Sequence, residues 1–446
     1  MKENQLIKKT KLSKSRFTVC AGAALDRFVL EPFWYEIDGH DLTAFSEETL
    51  TVPFILNIAP VVWLSGRRLH ITSMDETLSQ ALVRLRNWFR NHFPEMQWEG
   101  EIVPDNIVSS HPMAPVPTIR PALLFSGGLD SVTSLYRHIS ETPLLISVHG
   151  ADIQLRDYLS WKVLSDLACR YGEENGLQNV FVRSNILDFL NQHLLGKIAK
   201  TEISWWGNIQ HGMGLAGLAF PVCDFHRCPT LLIASSLWKE TQDESPVRWG
   251  TAPEAIDLIR YRSMKVQDDY QVSRQEKMEY LKRLGQEMSI YPKLRVCFRS
   301  KAGINCGHCE KCLRTVAGIL VTGVENLPIY GFPEPIAVYV ERLKAMFESR
   351  KVRMGRYHVM AWNDMKAHLP DSPGDHSSSP IVAELREWVR SFNFMECHSR
   401  QRPSRNRRAE FSRFMALRLP WVYSCLRRLW CQIHLYRYSH LRSQKT

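Results

Sequence analysis

Ala122-Leu123-Leu124-Phe125-Ser126-Gly127-Gly128-Leu129-Asp130-Ser131 is the stretch on which the reading of this chain turns. A short apolar run of strand character ends in Ser126-Gly127-Gly128, and Asp130-Ser131 opens a helical pattern, Val132-Thr133-Ser134-Leu135-Tyr136. Glycine lets a backbone curl without a Cβ clash, so successive N–H groups can converge on an anion. The first N–H groups of the helix lack intrahelical partners, and the helix dipole adds positive character there. Ser126 and Ser131 supply hydroxyl donors. Such a pocket suits phosphate oxygens. It is not a Walker loop, because no lysine follows the turn. An acidic Asp130 inside an anion site calls for a cation, most simply Mg²⁺ bound with the phosphates.

Around this turn the pattern alternates. Strand-like runs at 144–149, 180–182 and 230–234 are separated by helical patterns at 158–171 and 212–220. Alternation of this kind predicts an α/β fold, a parallel sheet with helices on both faces. Ligands in such sheets sit beyond the carboxyl ends of the strands, where the glycine turn falls. This domain is expected to span 119–330. A smaller N-terminal α+β domain is expected over 1–118, with strand material at 28–37 and an amphipathic helix at 77–93. Pro104, Pro112, Pro115, Pro117 and Pro121 make 103–121 read as a linker. Residues 331–398 read as a helical region with a Pro/Ser-rich linker at 369–380 and a helix at 381–392, followed by a tail over 399–446.

Four of the eleven cysteines cluster as Cys297, Cys306, Cys309 and Cys312. Two-residue spacers present successive thiolates to one ion, and Gly307 eases the turn. The spacing predicts a closed, structural Zn²⁺ site. Nearby Arg299, Lys301, Lys311 and Arg314 would offset its negative charge. An iron–sulfur cluster is the rival, since Cys-x2-Cys-x2-Cys also occurs in ferredoxin-type ligation; the upstream fourth cysteine and the lack of a following Cys-Pro favour zinc.

Ser-Gly-Gly-x-Asp-Ser resembles the signature of the PP-loop, or N-type, ATP pyrophosphatases. Together with the four cysteines it resembles most the 7-cyano-7-deazaguanine synthases within that family. The resemblance covers residues 121–325, less than half of the chain. It implies an adenine-nucleotide-binding domain that uses ATP and Mg²⁺ to adenylate a carboxylate or amide oxygen, releases pyrophosphate, and lets ammonia or another amine attack. Ser126, Gly127, Gly128, Asp130 and Ser131 map onto the phosphate loop, Asp130 being the catalytic position, and the four cysteines onto the zinc ligands. Arg274 and Lys277 occupy the place of a basic phosphate contact; a solvated helix face is the other reading of that pair. Asn208 lies in what looks like the family's Asn-containing helix. Trp249-Gly250-Thr251-Ala252-Pro253 departs from the synthase pattern on the acceptor side of the pocket. An RNA-modifying relative, a nucleotide-responsive nucleic-acid-binding module, or a role in anti-phage defence are the alternatives.

The net charge of +11 belongs to the tail: residues 399–446 hold eleven arginines and one lysine against the single acid Glu410. Arginines there alternate with Phe411, Phe414, Trp421, Trp430, Tyr436 and Tyr438. This composition fits nucleic acid, an anionic membrane surface, or an extension packed on the body. The first ten residues carry charge and no apolar core, so a secretory signal is not expected. The apolar run 52–64 contains Pro53 and Pro60 and is too short to span a bilayer. A cytoplasmic enzyme acting on a small carboxylate is expected, with oligomerisation left open.

Overall fold

The structure, a computed structural model, describes residues 4–109, 119–201, 204–236, 238, 248–297, 304–349, 352, 354–370, 379–399, 415, 419 and 422. The remainder, including nearly all of the basic tail and most of the Pro/Ser linker, lies outside the described residues.

The described residues form eleven strands. The first five are β1 (Ile7–Leu12), β2 (Phe17–Ala21), β3 (Phe33–Ile37), β4 (Arg68–Asp75) and β5 (Glu101–Val108). Then come β6 (Ala122–Leu124), β7 (Leu144–His149), β8 (Asn179–Ser184), β9 (Thr230–Ala234), β10 (Arg260–Tyr261) and β11 (Met264–Asp269). The principal helices of the first half are α1 (Glu47–Ser65), α2 (Glu76–His92), α3 (Leu129–Arg137), α4 (Tyr158–Asn175), α5 (Gln192–Ile198) and α6 (His211–His226). Those of the second half are α7 (Arg274–Met288), α8 (Glu310–Val321), α9 (Ile336–Glu348), α10 (Arg356–Ala367) and α11 (Pro380–Ser391).

Nine strands form one sheet in the order β1-β2-β3-β8-β7-β6-β9-β11-β10, while β4 and β5 pair separately in parallel. Only the middle of the large sheet is parallel: β8, β7, β6, β9 and β11 run together. β1–β3 and β10 are added antiparallel at the two edges. The expected parallel sheet is therefore a mixed one. The hairpin-length connections of β1 to β2 and of β10 to β11 leave no room for the crossover that parallel pairing requires.

Alternate residues of the central strands feed two cores. Ala122, Leu144, Ile146, Leu231 and Ile233 join one cluster with α1, α2 and α6. Leu123, Leu145 and Leu232 join the other with α3 and α7–α11. That period of two is what a strand buried on both sides demands.

The N-terminal residues share the first of these cores instead of closing one of their own. β3 pairs with β8, with Tyr35 opposite Ser184. α1 lies against α6 so closely that a Cβ on Gly217 would meet Leu56 Cβ at 3.1 Å and Pro53 Cα at 3.3 Å. Asn57, fully buried, donates to the Pro53 and Gly214 carbonyls and accepts from Gln210. α1 is long and apolar enough to cross a membrane, yet 83% of its most apolar window is buried within the fold. It is a core helix, longer than the apolar run suggests, because Ser46 caps its N-terminus and Gly66 its C-terminus.

Two local expectations change. Part of the 103–121 linker is strand, since Pro104 sits in β5 opposite Ile71. Among the described residues β5 pairs only with β4, so the missing N–H of a proline can face outward. Of 28–37 only Phe33–Ile37 is strand, beginning just after Pro32.

Candidate active site and metal centre

β6 ends at Leu124, and the chain turns through Ser126 and Gly127 into α3, which Gly128 caps. Gly127 has φ +68°, the left-handed region, and a Cβ there would lie 2.9 Å from Leu167 Cδ2. Only glycine takes this position without strain. The turn is laced by its serines: the Ser126 N–H donates to Ser131 Oγ (3.3 Å), the two hydroxyls lie 3.2 Å apart, and Ser131 Oγ donates to the Gly128 carbonyl (3.2 Å). The loop residues anticipated from sequence thus form one hydrogen-bonded unit at the carboxyl edge of the parallel strands.

Arg274 and Lys277 come to this turn from 144 and 147 residues away. A capping box between Ser273 and Glu276 starts α7. Residues one turn apart then share a face. Arg274 Nη1 donates to Asp130 Oδ2 at 2.8 Å, and Lys277 Nζ to Asp130 Oδ1 at 3.0 Å and to the Ser235 carbonyl. Arg274 is 6% and Lys277 1% exposed, so the solvated-face reading does not describe them. Burial would raise the Asp130 carboxyl, but Arg274 and then Lys277 outweigh it and hold the group well below the usual carboxylate range. The Arg274 guanidinium is held above its ordinary range by Asp130, against its burial.

A cavity of about 300 Å³ opens over the turn. Its apolar wall includes Leu124, Ile146, Val148, Ile153 and Ile233 from the carboxyl ends of β6, β7 and β9 and the loop after β7. Its polar wall holds Ser126, Asp130, Ser131, Asp152, Arg274, Arg295 and Lys311. A second cavity of about 430 Å³ shares Asp130, His211, Ser236, Arg274 and Lys311 with the first and extends to Trp249, Thr251, Glu310, Arg314, Tyr357 and His358. Asn208 and the Trp249-Gly250-Thr251 segment belong to its frame. Asn208 Nδ2 donates to the Arg248 carbonyl, and the N–H groups of Gly212 and Gly250 donate to the Gly250 and Gly207 carbonyls. Residues 206–210 are a π-helical turn leading into α6, which sets His211 at the junction of the cavities. Burial pushes both His211 and His358 below the ordinary imidazole value.

The cysteines meet as the spacing predicts. The four Sγ atoms all lie within 4.8 Å of one another; Cys297 and Cys309 are 3.9 Å apart, Cys306 and Cys312 3.8 Å. A tetrahedron with Zn–S bonds near 2.3 Å has edges of about 3.8 Å, so the cluster could hold a metal such as zinc. Gly307, at φ +69°, makes the turn between the second and third ligands, and Cys309 caps α8. Arg314 gives its Nε to Glu310 at 2.7 Å. Arg299 and Lys301 lie outside the described residues.

Sequence reading missed Asp152, His211, Arg295, Tyr357 and His358 as lining residues, and took Lys311 only as a counter-charge to the cysteines. For Arg295 and Lys311 one signal existed, their positions two residues before Cys297 and between Cys309 and Cys312. Compared with protein-family models, with curated proteins and with solved structures, the chain matches none.

Proposed function

We propose that this protein is an ATP pyrophosphatase of the PP-loop kind, an ATP-dependent ligase that adenylates a carboxylate or amide oxygen and lets ammonia or another amine displace AMP from the activated carbon. One observation carries the reading: a Ser-Gly-Gly-Leu-Asp-Ser turn, with Gly127 at positive φ, stands at the carboxyl end of a parallel strand facing buried Arg274 and Lys277. The adenosine end of ATP lies along the apolar wall, and the β- and γ-phosphates meet the start of α3 and its serines. The acceptor oxygen attacks the α-phosphorus, the α–β bridging bond breaks, and pyrophosphate leaves toward the cations. The amine then forms the C–N bond at the activated carbon as AMP departs. Mg²⁺ suits the hard oxygen donors present and would neutralise phosphate charge; Asp130 and Asp152 are the carboxylates that would hold it. Both Asp130 oxygens already accept from cations, whereas Asp152 makes no ion pair among the described residues and is the more readily available ligand.

The acceptor is assigned to the second cavity because it shares Asp130 and Arg274 with the first, and 7-carboxy-7-deazaguanine is the first acceptor to offer. The test is pyrophosphate release from ATP–Mg²⁺, with and without that acid plus ammonium, with Asp130→Asn as blank. Stimulated release supports the synthase-like reading; release without stimulation retains the pyrophosphatase and sends the search to other carboxylates. Absence of both ATP binding and release above the blank would sink the proposal.

A further inference from the structure

Arg295 and Lys311 both reach the nucleotide cavity from the cysteine-bearing segment, one from just before Cys297 and the other from between Cys309 and Cys312. The Arg295 N–H donates to the Gly127 carbonyl at 2.7 Å, and a Cβ on Gly127 would lie 3.5 Å from Arg295 Cβ. Arg295 is 6% exposed and two residues ahead of Cys297. Lys311 lies in the first turn of α8, behind its Cys309 cap. Asn305 ties the two limbs, accepting from the Val296 N–H at 2.9 Å and donating to the Leu294 carbonyl at 2.8 Å. A second tie is the cluster itself, with Cys297 on one limb and the other three ligands on the second.

The charges suit a polyvalent anion. Arg274, Lys277, Arg295 and Lys311 stand around the turn with two carboxylates, Asp130 and Asp152. Counted over these six groups alone, cations exceed carboxylates by two, with Asp130 already paired with Arg274 and Lys277. A phosphate chain meets that excess where a neutral ligand would not.

We infer that the cysteine segment completes the phosphate site: Arg295 and Lys311, held in register by the metal-bound cluster, clamp the departing pyrophosphate, so metal occupancy and phosphate affinity are linked. This rests on the nucleotide reading above. Ordering both limbs on the metal prepays the cost of placing the two cations, and linkage makes the effect reciprocal.

The probe is inorganic pyrophosphate, titrated calorimetrically into the full chain. The zinc-loaded protein should bind it. Removing metal with a chelator under reducing conditions should weaken binding at least about fivefold, and Zn²⁺ should restore it. Arg295→Met and Lys311→Met should each weaken it about tenfold or more while keeping the wild-type metal content. Should stripping unfold the chain, the reciprocal measurement decides: pyrophosphate should slow metal loss to a chelator in wild type and not in either variant. Unchanged pyrophosphate affinity in the variants, or metal loss indifferent to pyrophosphate, overturns the inference and leaves the nucleotide reading standing. A zinc-loaded wild-type protein that binds neither pyrophosphate nor ATP overturns both.

Discussion

The two additions to the central parallel strands behave differently. The N-terminal segment extends the sheet through β3 and covers one face with α1, and its contribution is apolar: Phe33, Phe54 and Val61 are fully buried. The cysteine segment sits at the carboxyl end of the strands, and beside its own buried residues it sends two cations into the cavity. An element laid along a sheet face meets side chains already committed to packing. One laid across strand ends meets backbone groups and a turn that ligands can reach. Position relative to the strands, more than composition, separates scaffold from site.

The largest effect expected is from Asp130→Ala, which tests the site side of this contrast. It leaves Arg274 and Lys277 buried without their acid, at about 3–5 kcal/mol of stability. Pyrophosphate release should vanish as well. A denaturant midpoint close to wild type would mean the ion-paired arrangement is absent in solution. Phe54→Ala probes the scaffold side. Its ring packs on Phe33 at 5.9 Å, and its loss should cost about 3–5 kcal/mol by denaturant unfolding while pyrophosphate affinity, measured well below the transition, stays as it was. A parallel fall in affinity would erase the distinction between the two regions.

Gly127→Ala should cost about 1–2 kcal/mol from its left-handed backbone alone. The contact with Leu167 adds to this, and phosphate affinity should fall further than stability does. The smallest effect concerns His138, which ties the end of α3 to β11 through Asp269 (3.0 Å) and also meets Glu141 (2.6 Å). The Asp269 hydrogen bond raises its pKa against the opposing effect of burial. Its stabilisation is therefore complete below the unfolded value of about 6.5 and is lost as pH rises through the higher folded value. Stability measured by denaturant unfolding should fall as pH rises from 5 to 9, and His138→Gln should flatten that slope. An unchanged slope would remove His138 from the account.

Much of the central unit was legible. The runs at 144–149 and 230–234 are strands with those bounds, and the patterns at 158–171 and 212–220 lie within α4 and α6. These segments announce themselves because apolar period and turn chemistry act within a few residues. The antiparallel edges were not legible, since β1–β3 could equally have closed a small domain of their own. Pro104 looked like a linker signal and is in fact edge strand. The solvated alternative for Arg274 and Lys277 was reasonable on a charged helix start; only the approach of Asp130 from another element buries them.

The sequence by itself determined the glycine turn and the meeting of the four cysteines, because sterics and ligand spacing are settled over a short stretch of chain. Tertiary structure alone decided that β1–β3 join the large sheet, that Asp130 is met by Arg274 and Lys277, and that Arg295 and Lys311 share its cavity. The four cations lie more than a hundred residues from the turn, and β3 as far in sequence from β8; no local rule fixes which way a distant segment will pack until hydrophobic burial has chosen the fold.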